Sequence, residues 1–169
     1  MRLAADFFRG DVMGVAPALV GAYLCRRTAD GRLLRGRITE TEAYRGEEDG
    51  ACHARAGRTK RTEMLYREGG HAYVYLVYGL HWLFNVITGP ADAPQGVLIR
   101  AMDKPLDGPA KWTRAFSVTG AQNGLYLPDS EEIWLEAGEK ANIRTAARVG
   151  IDFAPEPWKS MPWRFILDE

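Results

Sequence analysis

The sequence predicts a single mixed α/β domain, and three observations carry that prediction. Its 169 residues suit one domain and are enough to bury a core without disulfide or metal staples. Apolar residues recur at helical spacing after Asp11, where Val12, Val15, Ala16, Leu19, Val20 and Tyr23 fall along one face. Elsewhere β-branched and aromatic residues alternate or run together between turn residues, which is the signature of strands. No internal repeat, low-complexity tract or second apolar core interrupts residues 1–169, so one domain is expected over the whole chain.

The helix predicted over Asp11–Leu24 takes Asp11 as its N-cap, and Pro17 should push its start toward Gly14 or Ala16, since proline is best tolerated in a first turn. Asp30-Gly31 marks a tight hairpin between strands Ala22–Thr28 and Leu33–Thr41. If the pleat of the second strand persists, Glu40 and Glu42 share the side of Ile38, which would set acids on an apolar face. From Glu47 to Gly70 charge and glycine dominate, so a long loop is expected, of a length that compact domains usually reserve for function. His71 to Thr88 is nearly continuous Val, Leu, Ile, Tyr, Trp and Phe, broken at Tyr78-Gly79, and reads as two strands joined by a tight turn. Val97–Ala101 reads as a short buried strand, and Gly108-Pro109 opens a helix over Ala110–Val118. Ile133–Glu136, Ile143–Val149 and Trp163–Leu167 complete the strands.

Composition narrows the function. Twenty-two basic residues balance 22 acidic ones, so overall charge does not mark a nucleic-acid binder. The distribution is uneven, with Arg55, Arg58, Lys60, Arg61 and Arg67 against Glu63 alone between positions 55 and 67. A run of that kind is by itself most simply a solvated loop, though its place between an acidic strand and a tyrosine-rich one suits a surface facing a polyanion. The two cysteines, Cys25 and Cys52, have neither zinc spacing nor a disulfide framework, which fits a reducing cytoplasm, and no metal or cofactor is expected. No apolar run is long enough to span a bilayer, and no membrane partner is expected.

Chemistry concentrates between Glu40 and Gly79. Glu40-Thr41-Glu42-Ala43-Tyr44, Asp49-Gly50-Ala51-Cys52-His53 and Tyr73-Val74-Tyr75-Leu76-Val77-Tyr78-Gly79 set carboxylates, an imidazole and several tyrosines within forty residues of strand-like sequence. Strands disfavour Glu and favour Tyr, so an acid among tyrosines suits a site that holds a flat ligand and moves a proton. Taken singly, each residue has a plainer use: Glu42 as a strand-edge partner of Arg37, His53 as a structural side chain, and Tyr78 as a turn residue packed on its own hairpin.

Together with Gly36–Tyr44, Asp49–His53, Tyr73–Asn85 and Val97–Ala101, in that order and spacing, the chain resembles the alkyladenine (3-methyladenine, or methylpurine) DNA glycosylases. That resemblance implies a curved, largely antiparallel sheet with surrounding helices and a protruding β-hairpin. It also implies a base-excision repair enzyme acting on double-stranded DNA that contains damaged purines, working as a monomer and associated with the nucleoid when bound to DNA. By the matching positions, Glu42 activates water and Arg100 holds that water or a nearby phosphate. Ala51, Tyr44, His53, Tyr75 and Asn85 line the pocket for the flipped base, and Tyr78 fills the gap left in the duplex. Arg58 and Arg61 are expected on the DNA backbone. The loop that in relatives usually reads Thr-Pro-Arg-Asn before Met-Phe is here Thr59-Lys60-Arg61-Thr62 before Met64-Leu65.

These residue types suit the implied reaction. Extruding a nucleotide costs a few kcal/mol, which an inserted side chain offsets in part. Hydrolysis through an oxocarbenium-like sugar needs a carboxylate near C1′ and a placed water. Electron-rich Tyr44 and Tyr75 attract an electron-poor alkylated purine by roughly 0.5–2 kcal/mol per contact. No lysine adjoins Glu42, so a lyase route through a Schiff base is not expected and the product is an abasic site. Two other readings remain: a module that binds damaged DNA without cleaving it, and a nucleoside hydrolase using Glu42 and His53. A binder gains nothing from a carboxylate buried near a polyanion, and a nucleoside pocket needs no wedge at Tyr78.

Overall fold

A computed structural model describes all residues, Met1–Glu169. Eight strands form one sheet in which every pairing is antiparallel. In chain order these are β1 (Tyr23–Arg27), β2 (Leu33–Arg45), β3 (Ala72–Val77), β4 (His81–Ile87), β5 (Gln95–Met102), β6 (Ile133–Glu136), β7 (Ile143–Ala146) and β8 (Arg164–Leu167). The spatial order is β3-β4-β5-β2-β1-β6, with β7-β8 laid against the second half of β2. Because β2 pairs with β1 through Arg37 and with β8 from Glu40 onward, the sheet curls into a half-barrel at that point. The mixed α/β class, the antiparallel curvature and the tyrosine hairpin all match expectation.

Three α-helices accompany the sheet: α1 (Ala5–Phe8), α2 (Val12–Leu19) and α3 (Pro109–Ala115). The Asp11 carboxylate accepts the Met13 N–H at 2.9 Å, capping α2 as its sequence predicts. The helix nevertheless starts at Val12 and holds Pro17 inside, rather than slipping toward Gly14. It also ends at Leu19, five residues short of Leu24, because Gly21 takes a φ of +92° and turns the chain into β1. So short a helix forfeits a single ladder bond to Pro17, and burial of Val12, Val15, Ala16 and Leu19 against the sheet carries it instead.

The Asp30-Gly31 hairpin is present, with Gly31 at φ +86°. The second hairpin is tighter still. Tyr78 and Gly79, at φ +54° and +64°, form its centre, and the Leu80 N–H closes it on the Val77 carbonyl at 3.0 Å. Two successive left-handed residues are what the right-handed twist of a hairpin asks for, but a tyrosine in that conformation is uncommon. Residues 47–70 form the predicted loop, tied down by two short 3₁₀ turns, His53–Ala56 and Glu63–Tyr66. The helix from Pro109 stops at Ala115 rather than Val118, and the strand predicted over Ile143–Val149 stops at Ala146.

The expected pleat of β2 is overturned. Ile38 and Glu42 do not share a face of β2, because the register against β5 shifts between Ile38 and Glu40 and again between Glu40 and Thr41. This bulge inverts the alternation beyond it. Ile38 and Ala43, of opposite parity, both join the core of 25 buried residues beneath α2 and α3, and buried Thr41 donates its hydroxyl to the Ala16 carbonyl at 2.8 Å. Glu40, Glu42 and Tyr44 are thereby turned to the other face. No helix is long and apolar enough to cross a membrane.

Candidate active site

On the face opposite the helices, the alternation of four adjacent strands sets one row of side chains in register. Tyr73 of β3 lies opposite Asn85 of β4, Asn85 opposite Leu98 of β5, and Leu98 opposite Glu42 of β2. Two residues along, Tyr75 faces Leu83. The floor thus built belongs to a cavity of 530 Å³, within the usual range for small-molecule sites. The 51–53 turn and the 149–153 segment wall it, and the β3–β4 hairpin with Tyr78 stands at its side.

Glu42 lies in this wall with no exposure to bulk water. Its Oε2 accepts the Val149 N–H at 2.6 Å and its Oε1 accepts the Tyr44 hydroxyl at 3.0 Å. Arg37, its plain alternative partner, pairs instead with Glu169 at 2.7 Å. Burial pushes the Glu42 carboxyl above the usual carboxylate range, against the pull of the Val149 N–H, Arg100 and Tyr44. Arg100 Nε forms an ion pair with Glu40 at 2.9 Å, and Arg164 donates to the same carboxylate at 2.9 Å. Two guanidiniums on one carboxylate leave this cluster net cationic beside Glu42.

His53 stands over Tyr75, ring centroids 4.6 Å apart, and its Nδ1 is hydrogen-bonded to the Tyr73 hydroxyl at 2.9 Å. Burial, helped by Arg61 and Arg55, lowers its pKa to about 4, so at neutral pH the imidazole is uncharged and can both donate and accept. Burial likewise raises the hydroxyls of Tyr44 and Tyr75, keeping both phenols neutral. The buried Asn85 amide donates to the Tyr73 carbonyl at 3.2 Å, anchoring the floor. Ala51, 3% exposed, joins the wall through the turn that Asp49 caps by accepting its N–H at 3.0 Å.

The structure therefore gathers Glu42, Tyr44, Ala51, His53, Tyr75, Asn85 and Arg100 around one cavity, with Arg61 and Tyr78 at its edge. Tyr78 is 92% exposed at the hairpin tip, not packed on its own hairpin. Arg58 stands apart. It lies outside the cavity, held at 2.7 Å by both Glu63 and Asp92 and stacked on Tyr66, so its charge is already matched by protein.

Three contributors escaped the sequence. Val149 enters through its backbone N–H, which no residue type announces. Arg148, fully buried with Asp49, is 99 positions away from it along the chain. Phe153, 60% exposed at the cavity mouth under the Arg55 guanidinium, lies in a stretch without periodicity.

Comparison with known proteins agrees over the full length. The family profile described as Methylpurine-DNA glycosylase (MPG) matches residues 6–107 and 103–169. A protein of Clostridium botulinum (strain Alaska E43 / Type E3) named "Putative 3-methyladenine DNA glycosylase" is 39% identical over 198 residues, covering 100% of this chain and 96% of its own. Proteins of the same name from Natranaerobius thermophilus and Borreliella burgdorferi (strain ZS7) are each 38% identical, over 99% and 96% of this chain and 96% and 94% of theirs.

Proposed function

Because the chain belongs to the methylpurine-DNA glycosylase family, enzymes that hydrolyse N-glycosyl bonds in DNA, we propose that it excises damaged purines by a Glu42-activated water and leaves an abasic site. The observation that carries this proposal is the placing of a buried carboxylate, braced by an N–H and a phenol, in the wall of a cavity floored by Tyr75, Asn85 and Leu98.

The nucleotide is rotated out of the duplex and its base enters the cavity, where Tyr44, Tyr75 and His53 offer ring faces and edges. Tyr78 fills the vacated space, and its strained backbone at the tip of a two-stranded turn keeps the ring away from the sheet. The C1′–N bond then breaks, its electron pair leaving with the purine, as the water oxygen bonds to C1′. Glu42 takes the water's proton and offsets the positive charge that develops on the sugar. A cationic alkylpurine departs as a neutral base, whereas a neutral lesion must gain a proton on leaving. The Arg100–Glu40–Arg164 cluster supplies positive charge for the phosphates next to the extruded nucleotide, and Arg61 extends it along the loop.

The test is release of free base from duplexes that each carry one defined lesion: an alkylpurine, hypoxanthine or etheno-adenine. Excision of at least one, with no strand cleavage, is expected. Tight binding to all three with no base released would favour a damage-binding module instead.

A further inference from the structure

The Glu42 carboxylate is held by a segment outside the sheet, which Arg164 Nε also fastens by donating to the Ala147 carbonyl at 2.8 Å. Beyond the end of β7 at Ala146, residues 147–150 leave the sheet, and the Val149 N–H donates to Glu42 rather than to any backbone carbonyl. The side chain of the preceding residue does the fastening. Arg148 is fully buried; its Nη1 donates to Asp49 Oδ2 at 2.6 Å and to the Ala43 carbonyl at 3.0 Å. Its Nη2 donates to Asp49 Oδ1 at 3.0 Å and to the Trp158 carbonyl at 3.2 Å. The guanidinium also lies between two rings, 4.8 Å from the centroid of Tyr44 and 4.9 Å from that of Trp163.

Asp49 is as deeply buried and equally occupied. Besides the two-pronged pair it accepts the Arg45 N–H at 2.9 Å and the Ala51 N–H at 3.0 Å. A single ion pair thus joins the end of β2, the turn that carries Ala51 and His53, and the segment that grips Glu42. Such a pair is a costly way to gain stability, since desolvation of two charges consumes most of their attraction, and apolar residues of similar volume usually serve a core as well. What it supplies is fixed geometry, because a planar guanidinium on a carboxylate tolerates few arrangements.

We propose that Asp49 and Arg148 are positioning residues for Glu42: the pair sets the 148–149 backbone so that the Val149 N–H holds the carboxylate in its reactive orientation. This rests on Glu42 being the base that activates water. Neither residue lines the cavity, so neither touches the substrate.

Arg148→Lys is the incisive variant, since it keeps the charge and removes the fork. Single-turnover base release should slow by about 10- to 100-fold, the loss that a misplacement of about 1 Å can bring. Affinity for the lesion duplex should stay within a few-fold of wild type. The acidic limb of the pH–rate profile should move to higher pH, because Glu42 loses its N–H donor and Tyr44, which packs on the Arg148 guanidinium, is held less firmly on Glu42, while Arg100, Glu40 and Tyr75 are unchanged. Asp49→Asn attacks the pair from the other side and should behave alike. A merely structural pair would lower the burst amplitude through unfolded enzyme, leaving the rate constant and the pH limb of the folded fraction as they were; that result overturns the proposal. So does failure of both variants to fold below the wild-type melting temperature. Absence of base release by the wild-type enzyme would instead remove the glycosylase reading itself, independently of either variant.

Discussion

On the helix-bearing face of the sheet, Ala43, Val74, Phe84, Val97 and Ile99 disappear into the core of 25 residues. Their immediate neighbours in sequence, Glu42, Tyr44, Tyr73, Tyr75, Asn85, Leu98 and Arg100, point the other way and surround a cavity. The first face is apolar and closed. The second buries a carboxylate and a guanidinium–carboxylate pair, and backs its aromatics only with two small apolar clusters, one of six residues and one of three. The same four strands thus carry both the stability of the fold and a region that opposes it. Pleated geometry makes the division possible, since adjacent residues of a strand face opposite environments. Substitutions on one face should therefore cost folding with little change in chemistry, and those on the other the reverse.

The largest effect should come from the closed face. Trp112 is fully buried, packs edge-on against Phe84 and Phe116, and donates its Nε1–H to the Ile99 carbonyl at 2.9 Å. Trp112→Ala should cost about 3–5 kcal/mol, through the apolar surface no longer buried, the void left behind and an orphaned carbonyl. Denaturant titration measures that loss, and base release per folded molecule should match wild type. A drop in rate constant would show that the two faces are coupled.

Glu42→Gln probes the opposite case. Base release should fall by about 10²-fold or more, as on removal of a general base, while binding to lesion duplex persists. Stability should hold or rise. A carboxyl whose pKa is raised by folding binds more protons when folded, so its ionisation erodes stability as pH climbs from 4.5 through the folded value. Thermal melts at neutral pH should therefore place the variant at or above wild type, with the difference vanishing toward pH 4. Turnover within a few-fold of wild type would remove Glu42 as the base.

Tyr78 belongs to neither face, and Tyr78→Ala should leave the melting temperature alone because the ring is 92% exposed. Excision should weaken several-fold for well-paired lesions and least for mismatched or single-stranded ones, where extrusion is easiest. Uniform loss across substrates with a lowered melting point would make the residue scaffold.

The arginines of the 55–67 loop divide the comparison more finely. Arg61→Ala should reduce affinity for damaged and undamaged duplex alike and flatten the salt dependence by about one unit for each phosphate that is no longer neutralised. Arg58→Ala should change neither, because Glu63 and Asp92 already hold that guanidinium. Equal effects of the two would mean that DNA displaces the acidic partners.

Titration of His53 carries the comparison into pH. With a folded pKa near 4 against an ordinary 6.5, the folded state resists protonation, so stability is lost as pH falls from 6.5 through 4. His53→Phe keeps a ring over Tyr75 and should flatten that decline in melts taken at successive pH values. An unchanged slope would assign the decline to other groups.

Much of this molecule follows from local sequence. The capped start of α2, both tight hairpins, the β-branched and aromatic strands and the long charged loop depend on interactions spanning a few residues, so residue type and spacing are enough to determine them. Strand alternation alone sets Tyr73 and Tyr75 on one side, whereas the gathering of Glu42, Tyr44, His53, Tyr75, Asn85 and Arg100 was expected from the resemblance to a family and not from local spacing. Three things were decided only by tertiary structure. The bulge between Ile38 and Thr41 reverses the side to which Glu42 points, because a pleat of period two cannot announce its own interruption and the distant strand β5 sets the register. Arg58 is withdrawn from the basic surface by Asp92, a partner 34 residues along. And Glu42 is oriented by a backbone N–H that Arg148 and Asp49 hold in place across 99 residues, a pair brought together only by the fold, which strengthens its attraction while desolvation offsets most of it.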